Sequence, residues 1–362
     1  MPKRIRLKFI LPLAAVLLVA VMVSRPIFRP GITISSSPVS ARKSNFHFIP
    51  EHWKESKLRI LLANENFKDI PSQGQLDLFL KLCDWTHRQW PQSTPDPYPL
   101  SNAIDILADI RSGKTGGFCG QYAYVLADVL KAMGYFSVRY VELWSAGGES
   151  HFVVEAWSDT FGKWMILDPG ENIYYVFRDS GVPASALEVR DALLKEGPVV
   201  ARSAGSPRID RGRHKMNLYA NFAVSTRSDL MRLTKPLTIR DRFDMFVFFK
   251  DGSTDPGAFN GRIPYIQTTS RVDDIYFDCN YALVGHRLDK KQEKIFFAFA
   301  TEGSMFNFAG FAVSMDHGKS WRRSGPEFTL AIADRVSSLW VAPVNMLGRF
   351  GRPTEVKISH NE

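Results

Sequence analysis

The 362 residues are 45% hydrophobic and 23% charged, enough apolar material for a buried core and enough length for two domains. The net charge of +9 is unevenly placed: residues 1–43 hold eight basic residues and no acid, contributing +8 and leaving +1 for the remainder. A body so close to neutral argues against a nucleic-acid partner, which usually needs a basic face on the domain itself.

Lys3, Arg4, Arg6 and Lys8 precede an apolar run over 9–24. At 16 residues with an internal Pro12 it is shorter than the roughly 20 of a comfortable membrane span. No small-x-small cleavage site follows, and Arg25 and Pro26 disfavour one. Residues 1–29 are read as a signal-anchor (transmembrane) segment, with a cleaved signal and secretion as the alternative. More basic residues precede the run than closely follow it, which puts the N-terminus in the cytoplasm and the body outside. The Ser-rich stretch 30–46 reads as a linker from membrane to body.

Residues 51–66 and 74–90 read as helices; in the second, Leu76, Phe79, Leu80, Cys83 and Trp90 recur near the 3.6 period. The Pro-rich stretch 91–100 is a loop, because each proline biases its predecessor away from the helical region. A short helix over 102–111 leads to a glycine-rich turn at 112–117. A helix follows over 119–133, with Tyr122, Leu126, Val129, Leu130 and Met133 on one face and Gly134 just past its end. Strand-like runs come next at 136–144, 151–157 and 163–168. The polar, basic stretch 201–216 reads as a second linker. Beyond it, short strands are expected at 218–224, 245–249, 275–281, 294–300, 308–313 and 335–342. Three cysteines, Cys83, Cys119 and Cys279, leave at least one thiol unpaired. For Cys83 and Cys279 a bridge and two separate buried thiols both stay open.

The chemistry gathers in the middle of the chain. Cys119 follows a glycine-rich turn and opens a helix, where free backbone N–H groups and the helix dipole favour a thiolate and could receive an oxyanion. A cysteine at a helix start is, taken alone, an ordinary core residue. If the strands 151–157 and 163–168 form a hairpin with Trp157 facing Gly162, His151 lies directly opposite Asp168. Their Cβ atoms would then be roughly 4.5–5.5 Å apart. A carboxylate there holds the imidazole in one tautomer and stabilises its charged form. A metal site is not expected, since neither CxxC nor HExxH spacing is present.

The stretch 116–172 resembles the transglutaminase-like superfamily. The nucleophile segment G-x-C-x-x-x-A is matched by Gly117, Cys119 and Ala123. A strand-opening His with an acid four positions on is matched by His151 and Glu155, and W-x-x-x-D-P by Trp164, Asp168 and Pro169. The likeness covers about residues 75–175. It implies a papain-like core in which a helix carrying the cysteine packs on an antiparallel sheet carrying His and Asp. It supplies no side-chain oxyanion donor with certainty; Gln89, Trp90 and Asn102 are the upstream candidates.

The expected fold is therefore α+β: a papain-like transglutaminase core at 47–200, helices on an antiparallel sheet, then an all-β sandwich-like domain at 217–362. In the latter, the run from Ser314 to Trp321 resembles the Asp-box of sialidases. As one copy it reads as a structural hairpin and not as a glycosidase signal. The expected activity is acyl transfer through a thioester on Cys119, with His151 as acid/base and Asp168 as its orienting group, and with no cofactor. The substrate would be a peptide or protein amide outside the cytoplasm. Water as second nucleophile gives an amidase or protease; an amine gives a transglutaminase. The alternative is a non-catalytic envelope scaffold with an inherited triad. Under either reading the β domain could take a protein or glycan partner, while Phe306, Phe308, Trp321 and Trp340 read mainly as its core.

Overall fold

The computed structural model describes residues 32–36, 41–235, 237, 245–254 and 267–360. The expected membrane segment at 1–29 lies outside the described residues. Among the described residues no helix is long and apolar enough to cross a membrane.

The chain is α+β, built on several sheets. The linker expected at 30–46 is in part a strand, β1 (Ile32–Ser36). Alternating Ile32 and Ile34 turn one face of this short segment into a packing surface. Helices α1 (Ser56–Asn64), α2 (Gly74–His87), α3 (Ala103–Arg111) and α4 (Cys119–Ala132) follow. The helix expected over 51–66 is shorter, its far end being a separate 3-10 turn at Asn66–Asp69. Asn102 caps α3 by accepting from the Asp105 N–H, which is why the helix begins there.

Next come β2 (Val138–Trp144), β3 (Ser150–Ser158), β4 (Lys163–Asp168), β5 (Ile173–Phe177), α5 (Ala186–Leu194), β6 (Val199–Ser203), β7 (Asn221–Ser225), β8 (Phe246–Phe249) and β9 (Gln267–Thr269). These strands form one eight-stranded sheet in the order β6-β5-β4-β3-β2-β7-β8-β9. The sheet holding His151 and Asp168 thus runs past residue 217, where the sequence reading begins the second domain. The stretch read as a linker at 201–216 starts inside β6 and folds back on it, the Ala201 N–H donating to Gly212 and the Arg211 N–H to Ala201. Its polarity reflects an exposed sheet edge, which composition cannot tell from a tether.

One face of the sheet packs on α1–α4 through Phe79, Tyr122, Leu126, Phe152, Met165 and Leu167. The other packs on α5 and the 3-10 turn Met216–Ala220 through Trp157, Trp164, Val189 and Tyr219. Side chains such as these are worth ~2 kcal/mol each when fully buried. Helix α4 is buried at every position after Cys119, between the sheet and the other helices, so its expected single apolar face is part of an all-round burial. It ends at Gly134, whose φ of 89° lies in the left-handed region that glycine adopts freely.

The remaining elements are a one-turn helix α6 (Val272–Ile275) and strands β10 (Leu283–Asp289), β11 (Lys294–Ala300), β12 (Phe308–Ser314), β13 (Arg322–Ser324), β14 (Glu327–Ala331), β15 (Ser338–Asn345) and β16 (Thr354–His360). The strand expected at 275–281 is α6 followed by irregular chain; its aromatic residues, Tyr276 and Phe277, pack on the second core instead of joining a ladder. Sheets β1-β16-β15-β12-β13 and β10-β11-β14 share a third core of Phe297, Phe311, Leu339, Val341 and Val356. At the hairpin 314–321, Asp316 accepts from Ser314 Oγ at 2.7 Å and from the Ser320 N–H at 2.9 Å, the turn-fixing role expected of it.

These two sheets dock on the far end of α4. Asn345 Nδ2 donates to the Gly134 carbonyl at 2.8 Å, and Arg349 Nε to that of Met133 at 2.8 Å. Cys83 and Cys279 are free and buried in different cores, on opposite faces of the large sheet, so no bridge joins them.

Candidate active site

The site starts from the glycine turn before α4. A Cβ on Gly116 would lie 2.4 Å from Ser93 Oγ, and one on Gly117 would lie 2.6 Å from Trp90 Nε1. Only glycine lets the Pro-rich loop approach this closely. The loop is then laced to the turn: Ser93 N–H donates to the Gly117 carbonyl at 2.8 Å, and Thr115 Oγ1 to that of Pro97 at 2.6 Å. Cys119, the first residue of α4, is part-exposed, beside N–H groups that have no carbonyl within the helix to bond.

His151 is the second residue of β3 and Asp168 the last of β4. Their hairpin differs from the expected register by two residues: Trp157 pairs with Trp164, not Gly162. A shift of two preserves the face on which each side chain stands, so His151 and Asp168 remain neighbours along a diagonal. His151 Nε2 donates to Asp168 Oδ2 at 2.7 Å, leaving Nδ1 for Cys119. Asp168 Oδ1 accepts from the Glu171 N–H at 3.1 Å. The three predicted residues meet at the strand ends. A Cβ on Gly170 would stand 3.4 Å from Asp168 Oδ1, 3.7 Å from Cys119 Cα and 3.8 Å from His151 Cε1.

The Asp168 side chain is 1% exposed and that of His151 11%, while Cys119 is part-exposed. Burial by itself would lower the His151 pKa, but the Asp168 charge and hydrogen bond, aided by Cys119, outweigh it and push the ring up to about 10. The imidazole is therefore cationic at neutral pH.

Residues the sequence did not single out hold this geometry. His87 Nδ1 bonds the Pro169 carbonyl at 2.9 Å, and its ring stacks near Tyr122, whose hydroxyl donates to the Trp90 carbonyl. Asn172, at a left-handed φ of 53°, donates to Asp84 at 2.8 Å. His214 Nε2 bonds Glu171 at 3.0 Å, which makes the 201–216 stretch a wall of the site. The one signal in the sequence was the glycine directly after Asp168-Pro169; the others come from distant segments with no shared pattern.

Of the three oxyanion-donor candidates, Gln89 is engaged with Trp85 and Arg111, and Asn102 with the start of α3. Trp90 Nε1 is spent on the Gly117 carbonyl at 3.3 Å. Among the described residues no group of three His, Cys, Asp or Glu side chains is arranged to hold a metal ion. Neither the models of protein families nor the curated proteins give a match to this chain.

Proposed function

We propose that the chain is a cysteine-nucleophile acyl-transfer enzyme acting on a peptide or protein amide, an amidase or protease or a transglutaminase, with the papain-like core of the transglutaminase-like superfamily. The reading includes a membrane-anchored, extracytoplasmic body and a β-sandwich-like C-terminal domain. What supports it most is the 2.7 Å bond from His151 to a buried Asp168 beside a part-exposed Cys119 that opens a helix. An imidazole locked by a carboxylate, with its free nitrogen at a thiol, is the arrangement nucleophilic catalysis needs.

In this mechanism the Cys119 thiol gives its proton to Nδ1 of His151, and the resulting thiolate attacks the amide carbonyl carbon. The carbon–sulfur bond forms as the carbonyl π pair moves onto oxygen, giving a tetrahedral oxyanion beside the free N–H groups of α4. Collapse re-forms the carbonyl and expels the amine, which takes the Nδ1 proton of His151. Water, or a second amine, then gives a proton back to His151 as it attacks the thioester and frees Cys119. Asp168 keeps its proton inventory throughout and stabilises the cationic ring.

The test uses p-nitrophenyl acetate as acyl donor. Intact mass should show one acetyl group on the native chain, removable by hydroxylamine, and none on Cys119→Ala. Equal labelling of the two, or none on the native chain, removes the enzyme reading.

A further inference from the structure

We infer that Tyr98 supplies the side-chain oxyanion donor of this site; the inference rests on the acyl-transfer reading of Cys119. Tyr98 sits in the Pro-rich loop, 21 residues before the nucleophile, and was not among the upstream candidates. A Cβ placed on Gly120 would stand only 3.2 Å from the Tyr98 hydroxyl. Cα–Cβ bonds in an α-helix tilt toward its N-terminus. That spot therefore lies alongside the first turn of α4, where the Cys119 N–H is free for an oxyanion.

Three further observations point the same way. The hydroxyl has no hydrogen-bond partner among the described residues, so its proton is unspent. Tyr98 is 37% exposed, as a group that must meet substrate should be. It is nonetheless held in place: the loop is tied to the glycine turn by Ser93 and by Pro97, and the ring meets Phe118 edge-on at 6.3 Å. A donor fixed before the reaction needs no reorganisation when charge develops. The other three candidates are engaged elsewhere, and the unpartnered Gln121 amide in the first turn of α4 is fully buried, so among the described residues Tyr98 is the donor there that is both free and exposed.

In the step itself, Tyr98 moves no proton. As sulfur bonds to the carbonyl carbon and the π pair goes to oxygen, the phenolic O–H donates to that oxygen alongside the Cys119 N–H. The bond is released when the carbonyl re-forms. Exposed Phe118 and the Tyr98 ring flank the same spot and give the acyl group an aromatic edge to lie against.

The experiment compares two reactions of Cys119 in the native chain and in Tyr98→Phe. Acylation by p-nitrophenyl acetate passes through an oxyanion; alkylation by iodoacetamide does not. Tyr98→Phe should slow the acylation rate constant about 100-fold, with the half-saturating ester concentration little changed and alkylation within twofold of native. Acylation within threefold of native overturns the inference while leaving the enzyme reading intact. A parallel loss of both reactions also overturns it, since the tyrosine would then be supporting the thiol or the fold. If the native chain is not acylated on Cys119 at all, both the reading and the inference fall.

Discussion

Replacing Asp168 with Asn tests the electrostatic core of the site, because it removes a charge while keeping size and hydrogen-bonding capacity. The ring of His151 has an ordinary pKa of 6.5 and is held at about 10. At 1.36 kcal/mol per pH unit that gap is ~5 kcal/mol of preference for the cationic ring. Burial opposes it, so without the Asp168 charge the ring should titrate well below 10, held up only by Cys119. The stability this pair contributes is fully present below pH 6.5, declines as pH rises toward 10 and is gone above it. In Asp168→Asn the difference in unfolding free energy from native should therefore shrink at high pH. Acylation should fall about 10,000-fold, as expected when a triad imidazole loses its orienting charge. The direct assay is the His151 Cε1 proton shift followed by NMR against pH. Cys119→Ala should lower the His151 value by less than Asp168→Asn, since Asp168 is the larger of the two favourable influences. A ring that still titrates near 10 in Asp168→Asn would refute the assignment of the charge to that carboxylate.

Gly117→Ala should cost ~1–3 kcal/mol in urea unfolding, because the new methyl meets Trp90 at 2.6 Å and Ile110 at 2.7 Å. Gly252→Ala, with nothing within 4 Å, should stay within about 0.5 kcal/mol of native. Arg139 donates to Glu155 at 2.9 Å inside the second core, with side-chain exposures of 3% and 0%. Glu155→Gln leaves that guanidinium without its counter-charge, though still bonded to the Ile275 carbonyl, and should destabilise by ~3–5 kcal/mol, measured by thermal or urea unfolding. Arg349→Ala removes the bond to Met133 and the cation–π contact with Tyr135 at 4.9 Å. Stability should drop by ~1–3 kcal/mol while acylation of Cys119 stays at the native rate; a tenfold loss of rate without loss of stability would contradict the expected separation.

How much the sequence revealed depended on the range over which each feature is decided. The bounds of α2, α3, α4 and β4 were readable to within a few residues, since a cap at Asn102, a terminal Gly134 and apolar periodicity act within one turn or strand. That His151 and Asp168 share a face was readable too, because alternation in a strand fixes it. Their register was not, since it is decided by the turn: four residues, Asp159 to Gly162, connect β3 and β4, with Gly162 at φ 61°. The 201–216 stretch was misjudged for a different reason. What pins it is remote pairing, Tyr175 to the His214 carbonyl and His214 to Glu171, and no local pattern encodes such pairs. Tyr98 escaped notice likewise, as a loop tyrosine whose position is set by contacts to a turn about 20 residues away.

The placement of α4 explains why one helix can serve both chemistry and assembly. Its 14 residues span about 20 Å at 1.5 Å each, with Cys119 at one end and Gly134 just beyond the other. The C-terminal sheets bond to the carbonyl of Met133, the C-cap of the helix, and to that of Gly134 just beyond it. The N–H groups that the helix leaves without intrahelical partners lie at the opposite end, beside Cys119. Burial of all residues between makes α4 a rigid strut, so the docked sheets can fix its axis without reaching the cleft. The C-terminal sheets should accordingly govern how firmly Cys119 is presented, while the loops around Tyr98 and His214 govern what it meets.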